Sequence, residues 1–347
     1  MTLAGPSGRY FAGENIMRWS RSYSARGIRH AAVMVALCAP LVAFALPASA
    51  AAGHLYLGIG TSVERFPLQK GIPSTQPDLT IAHYGGSIAV APDGTVYALR
   101  WRGRGGFDGY DIFAFPAGQT TPSREIILPP NGMCTLSSPP IQGLAVDGSG
   151  NLFVLVVYAQ SGALAHRPAA HGDVFPICLG FAVFPPNANG KVKPLQAVAL
   201  NDFYFGGMAV SEHSNLYINL ADYGQTLEYA NAVQDPHQTR TFPAQDNPAA
   251  ATDRVGDLYL LTYGSGGSEI NVFAPSWVSG PPTRSILLSS PFNSSVGIAI
   301  RGKFAYLNVV NTSSGSVGVY DAGGNGSENP IAVLNYANLL PAIAVGP

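Results

Sequence analysis

The chain has 347 residues, of which 47% are apolar and 11% charged, against roughly a quarter charged in ordinary globular domains. That balance excludes a disordered chain and leaves room for one large repeat domain or two ordinary ones. Forty Gly and 28 Pro point to a turn-rich all-β architecture, and the net charge of −5 that remains once residues 1–50 are set aside (14 basic, 19 acidic) argues against nucleic acid, whose affinity comes largely from cationic contacts to phosphate.

The N-terminal stretch has the layout of a secretion signal. Arg18, Arg21, Arg26 and Arg29 precede the apolar run Ala31–Leu46, and Pro47-Ala48-Ser49-Ala50 offers a small-residue cleavage site. The run is shorter than the ~20 residues a spanning helix needs, so no membrane span is expected after its removal. Leu37 stands where a lipoprotein box needs a small residue before Cys38. Residues 1–50 are therefore set apart as the signal, with Met17 as an alternative start, and 51–347 as the folded domain. Removal takes five Arg and one Glu from 19 basic and 20 acidic residues, leaving 14 and 19, a net −5. The expected location is extracytoplasmic, periplasmic or secreted. Two cysteines remain, Cys134 and Cys178, and an even number in an exported chain suggests a disulfide.

From His54 onward the chain repeats one unit. A short first strand recurs as Ile88-Ala89-Val90, Leu144-Ala145-Val146, Met208-Ala209-Val210, Ala250-Ala251-Thr252, Ile298-Ala299-Ile300 and Ile343-Ala344-Val345, with spacings of 56, 64, 42, 48 and 45 residues. The clearest copy is Gly143–Val154, where Asp147-Gly148-Ser149-Gly150-Asn151 is a tight turn between two apolar strands. Asp147 and Asp253 are read as turn formers rather than catalysts. The second strand carries a central aromatic: Tyr56, Tyr97, Phe153, Tyr217, Tyr259 and Tyr306. The third strand ends in another, as in Ile112–Phe115, Phe181–Phe184, Ile270–Phe273 and Val317–Tyr320. A variable fourth strand follows, as in Arg124–Leu128, Arg284–Leu288 and Pro330–Leu334.

Four antiparallel strands repeating every ~40–50 residues predict an all-β fold, a six-bladed β-propeller of four-stranded antiparallel blades. The Ala column has a physical reason: first strands lie nearest the axis, where blades converge and a larger side chain would clash. His54–Ile59 supplies a second strand with no first strand before it, and Pro341–Pro347 supplies only a first strand. The last blade is thus expected to be closed by N- and C-terminal strands together, which removes the open sheet edges.

These units resemble NHL-type repeats, of the form G-h-A-V-D-x-x-G-N-h-Y-V followed by I-x-V-F, where h is apolar. Gly143–Val154 with Phe181–Phe184 matches best, and blade by blade the likeness covers most of 54–347. It implies the propeller fold and says little about function, because that superfamily holds binding modules, lactonases and lyases. NHL repeats often carry an Asp after the second strand, and here Asp222 alone matches it.

In such a fold the second-to-third loops and the connections between blades share one face, where ligands usually bind. Two of these loops read as long, Arg100–Gly109 and Tyr158–Gly180. The first holds Arg100, Trp101, Arg102 and Arg104, guanidiniums and an indole suited to an anionic glycan. The second holds His166, Arg167, His171 and Asp173, metal-ligand types on no regular spacing, so no metal is expected. Cys134 and Cys178 fall in neighbouring loops of this face, within reach of each other. His83, Tyr84, Gln142, Tyr204, Asp246, Asn247, Asn293 and Asn338 enter first strands and should rim the channel. A lactonase-like propeller needs carboxylates around a cation there, and Asp246 is the clear candidate. No nucleophile elbow, H-E-x-x-H or P-loop occurs.

The reading is an exported, monomeric, non-enzymatic propeller that binds a protein or glycan partner through the loop-rich face, with no cofactor. The alternatives are a lactonase- or lyase-like enzyme with a channel site and a structural cell-envelope protein.

Overall fold

A computed structural model describes residues 53–104, 107–128, 141–157, 179–200, 205–220, 223–243, 249–264, 267–289, 295–310, 315–336 and 342–347. The first described strands are β1 (His54–Ile59), β2 (Ser62–Gln69), β3 (Ile72–Pro73) and β4 (Leu79–Ala82), which belong to blade 6. Blade 1 holds β5 (Gly85–Val90), β6 (Val96–Arg104), β7 (Phe107–Phe115) and β8 (Arg124–Ile126). Blade 2 holds β9 (Ile141–Val146), β10 (Leu152–Val157), β11 (Leu179–Phe184) and β12 (Gln196–Ala199). Blade 3 holds β13 (Phe205–Val210), β14 (Leu216–Leu220), β15 (Gln225–Ala230) and β16 (His237–Pro243). Blade 4 holds β17 (Ala249–Thr252), β18 (Leu258–Gly264), β19 (Gly267–Phe273) and β20 (Arg284–Leu288). Blade 5 holds β21 (Ser295–Arg301), β22 (Phe304–Val310), β23 (Gly315–Asp321) and, after the short β24 (Gly326–Glu328), β25 (Ala332–Tyr336). The last strand, β26 (Ala342–Gly346), pairs antiparallel with β1 and completes blade 6.

The expected closure is therefore observed, in the register Leu55↔Val345 and Leu57↔Ile343. Each blade has its sheet, and each seam between blades has its own hydrophobic cluster. Six clusters follow the ring, from Tyr97 with Leu152 between blades 1 and 2 to Tyr56 with Val96 between blades 6 and 1. A strand flanked by seams on both faces has no wet side, which is why Leu152–Val156 is a continuous buried apolar run rather than an alternating one. Ala89, Ala209, Ala251 and Ala299 of the first strands are all buried.

The blade edges carry a feature the repeat does not announce. The connection from third to fourth strand in one blade reaches back to the outer strand of the blade before it. In blade 5 this connection contains β24, which pairs in parallel with β20 of blade 4. In blade 2, Gly190 donates to Glu125 O at 2.5 Å and accepts from Ile127 N at 3.0 Å, covering the edge of blade 1. Both additions occupy backbone groups that an open edge would offer to another chain.

The second-strand tyrosines do more than fill seams. Arg124, Arg240 and Arg284 stand on the fourth strands of blades 1, 3 and 4, near the hydroxyls of Tyr97, Tyr217 and Tyr259. Arg284 donates to the Tyr259 hydroxyl and to Ala322 O of blade 5, both at 2.9 Å. Arg124 donates to Tyr97 Oη at 3.4 Å and to the Pro186 carbonyl of blade 2. Arg240 donates to Pro275 O at 2.6 Å and Trp277 O at 2.9 Å in blade 4. Its other donors go to the buried Glu228 carboxylate, at 2.5 and 2.6 Å, and that carboxylate also accepts from Tyr217 Oη at 3.0 Å. In blade 5 no Arg intervenes, and Tyr306 donates directly to Gly71 O of blade 6 at 2.8 Å. Phe153 of blade 2 has no hydroxyl to offer; there Gln196 Nε2 reaches Gln234 O of blade 3 at 2.7 Å.

Candidate functional site

Antiparallel pairing sorts the connections onto two faces. The second-to-third hairpins and the blade-to-blade connections lie on one, the first-to-second turns on the other. On the first face, Arg100–Gly109 differs from the long loop read from the sequence. Its flanks continue β6 and β7, nine residues each, in the unbroken register Leu99↔Ile112, Arg100↔Asp111, Trp101↔Tyr110, Arg102↔Gly109 and Arg104↔Phe107. The physical reason is that backbone pairing needs no side chain, so glycines at 103 and 109 do not end the ladder. Arg100, Arg102 and Arg104 thus fall at alternate positions of a paired ribbon, with Trp101 between them. The Arg100 guanidinium lies 5.7 Å from the ring centre of Tyr84.

Of the residues expected at this channel mouth, His83 is exposed with a φ of 70°. Tyr84 instead turns inward, only 8% exposed, and packs edge-on to Phe113 and Phe115 at 5.0 and 4.8 Å. Gln142 lies in β9. Tyr204, Asp246, Asn247, Asn293 and Asn338 lie outside the described residues, as do Cys134, Cys178, Asp222 and the whole of 158–178. Among the described residues no three His, Cys, Asp or Glu side chains gather as a metal-binding group, and no helix is long and apolar enough to cross a membrane.

The other face carries a cavity of about 890 Å³, lined by the ends of all six first strands and by the Lys70-Gly71 turn. Asp147 is buried beside it. Its Oδ1 accepts from Ser149 N and Asn151 N, both at 2.9 Å, and its Oδ2 from Asn151 Nδ2 at 2.8 Å and Ser214 Oγ at 2.6 Å. The expected turn former therefore also latches blade 2 to blade 3. A Cβ at Gly148 would meet Glu212 O at 2.8 Å, so the two turns require glycine where they touch. Asp253 is occupied in the same way, by Val255 N at 3.0 Å, Asp257 N at 2.9 Å and Tyr259 Oη at 3.2 Å.

The fifth copy breaks this pattern. Its turn is only Gly302-Lys303, between the paired Arg301 and Phe304, and carries cations in place of the acidic turn. Arg301 Nη1 donates to Gly346 O at 2.5 Å, and the arginine side chain lies against the backbone of Gly53. Lys303 Nζ sits 5.4 Å from the Phe304 ring centre. Sequence reading assigned function to the opposite face from loop length and passed over this one. The signal that could have found it was the contraction of this turn to Gly302-Lys303, where the second and fourth copies carry Asp-x-x-Gly.

No family model matches the sequence, and no curated protein matches it. Solved structures do. A chain of a nidogen/laminin complex is 15% identical, covers 84% of this chain and 98% of its own length, and superposes with a TM-score of 0.57. A protein of unknown function from Bacteroides caccae covers 85% and 98% at 10% identity and a TM-score of 0.55. A functionally unknown protein from Desulfotomaculum acetoxidans covers 85% and 86% at 10% identity and a TM-score of 0.51.

The chain is a six-bladed β-propeller. At these identities the likeness is one of fold, and function has to be argued from the propeller's own surfaces.

Proposed function

We propose that this propeller is an exported, non-enzymatic binding module that engages a protein or glycan partner through its loop-rich face. The observation that carries the reading is the β6–β7 ribbon of blade 1. It sets three arginines and a tryptophan on a hydrogen-bonded scaffold instead of a floppy loop. A guanidinium pairs with carboxylate or sulfate through two parallel hydrogen bonds, and an indole stacks on a sugar face. A preformed ribbon also loses less conformational freedom on binding than a loop would. The turn hydrogen bonds accepted by Asp147 and Asp253 support the same reading, since they give both carboxylates a structural role in their turns.

The test is an array of acidic glycans probed with the wild-type protein, Trp101→Ala and the Arg102→Ala/Arg104→Ala double variant. Uronate- or sulfate-bearing glycans should retain the wild type and release both variants by about tenfold or more. Equal retention of all three proteins sinks the reading. We further propose the Cys134–Cys178 disulfide as the staple of this face. It would enclose about 45 residues and stabilise by roughly 3–4 kcal/mol in the chain-entropy treatment. The unreduced, denatured protein should then show no titratable thiol; two thiols exclude the bond.

A further inference from the structure

The cavity at the turn face is divided by charge. Asp147, Glu212 and Asp253 line the side made by blades 2 to 4, and Arg254, Arg301, Lys303 and Lys70 the side made by blades 4 to 6. The two halves are not chemically equivalent. Asp147 and Asp253 already accept hydrogen bonds, Asp147 from its own turn and from Ser214 of the next, Asp253 from its own turn and from the Tyr259 hydroxyl of the strand that follows. Glu212 meets Arg254 at 3.5 Å with both side chains well exposed, an arrangement contributing about 0–1 kcal/mol that a ligand can exchange for its own. Arg301 is held in place by the Gly346 carbonyl and the Gly53 backbone, so its guanidinium enters the site with little freedom left to lose. Burial first, and then the nearby charge of Arg254, lower the Arg301 pKa, as expected of cations confined together.

Five of the six first-strand ends are apolar there, Val90, Val146, Val210, Ile300 and Val345, with Thr252 the sixth, and Phe304 also lines the wall. A cavity of about 890 Å³ falls in the range of small-molecule sites, roughly 300–1,000 Å³. We propose that this funnel binds a small organic anion, its carboxylate or phosphate on Arg254, Arg301, Lys303 and Lys70 and its carbon body against the valine ring. The site lies on the face opposite the β6–β7 ribbon and does not depend on what that ribbon binds.

The probe is 8-anilinonaphthalene-1-sulfonate, an apolar body carrying one anion, titrated into the folded protein by fluorescence. One saturable site is expected, displaced by octanoate or octyl phosphate but not by 1-octanol. Arg254→Gln/Lys303→Gln, two exposed positions, should weaken it by about tenfold or more at unchanged melting temperature. Glu212→Gln should tighten it, and Trp101→Ala should leave it as it was. Binding that does not saturate at one site, that 1-octanol displaces as well as octanoate, or that ignores the double variant overturns the proposal.

Discussion

The guanidinium of Arg284 meets the hydroxyl of Tyr259, 25 residues away, at 2.9 Å, and the same nitrogen reaches across the seam to Ala322 O. Arg284 thereby couples the second and fourth strands of its own blade to the next blade. Arg284→Ala should lower stability by about 1.5–3 kcal/mol, the range for hydrogen bonds to charged groups, and Tyr259→Phe by about 1 kcal/mol. A double-mutant cycle in thermal melts should show the two losses to be non-additive. Simple additivity would mean that the Arg284–Tyr259 contact contributes no coupling energy.

Glu228 gives the fold an acid-sensitive point. Burial alone would raise its pKa, but the hydrogen bonds from Arg240, Thr239 and Tyr217 outweigh that and hold it below the ordinary carboxylate value. The unfolded chain therefore takes up this proton first as pH falls. The stabilisation is full above about pH 4.3, the unfolded carboxylate value, and is lost as pH drops through the folded pKa. Glu228→Gln should lower the neutral-pH melting temperature, by about 3 kcal/mol of stability for a broken buried pair. It should also flatten the acid limb of the pH–stability curve. An unaltered acid limb would assign the sensitivity to other groups.

Closure of blade 6 rests on β26. Removing 342–347 exposes one edge of β1 and opens the clusters on both sides of blade 6, where Ile343, Val345, Ala342 and Ala344 pack. Thermal melts of the shortened chain should show a fall of many degrees and a broadened transition. A melting temperature equal to that of the full chain contradicts ring closure as a source of stability.

Asn308 is fully buried, and neither its Oδ1 nor its Nδ2 has a hydrogen-bond partner among the described residues. The corresponding positions in blades 1, 2 and 4 are Leu99, Leu155 and Leu261, and in blades 1 and 2 they face glycine as Asn308 faces Gly297. An unsatisfied buried amide costs about 1–3 kcal/mol. Asn308→Leu should therefore raise the melting temperature by roughly 2–4 °C. A decrease would show that the amide serves a ligand or an ordered water.

What could be read from the sequence was what packing enforces. The alanine column and the second-strand aromatics recur because every blade faces the same taper, so blade count and closure followed from repetition alone. What could not be read was set by partners far apart in the chain. Arg124 and Pro186 are 62 residues apart, and nothing local marks them as neighbours. The β6–β7 hairpin reads from the sequence as the long loop Arg100–Gly109, because the pairing that makes it a ribbon, such as Arg102↔Gly109, is a backbone property that its residue types do not mark. The charged funnel gathers Lys70, Arg254 and Arg301 from three blades, and a linear scan has no reason to group them.

The pairing of β1 with β26 also has a consequence for the order in which the molecule can be made. The earliest strand of the ring must wait, its inner edge bare, until the latest strand has emerged from the ribosome. Over that interval the nascent chain is an open arc with an apolar flank at blade 6. A holding chaperone, or delivery of the whole chain before folding starts, would prevent arcs from joining one another through those waiting edges.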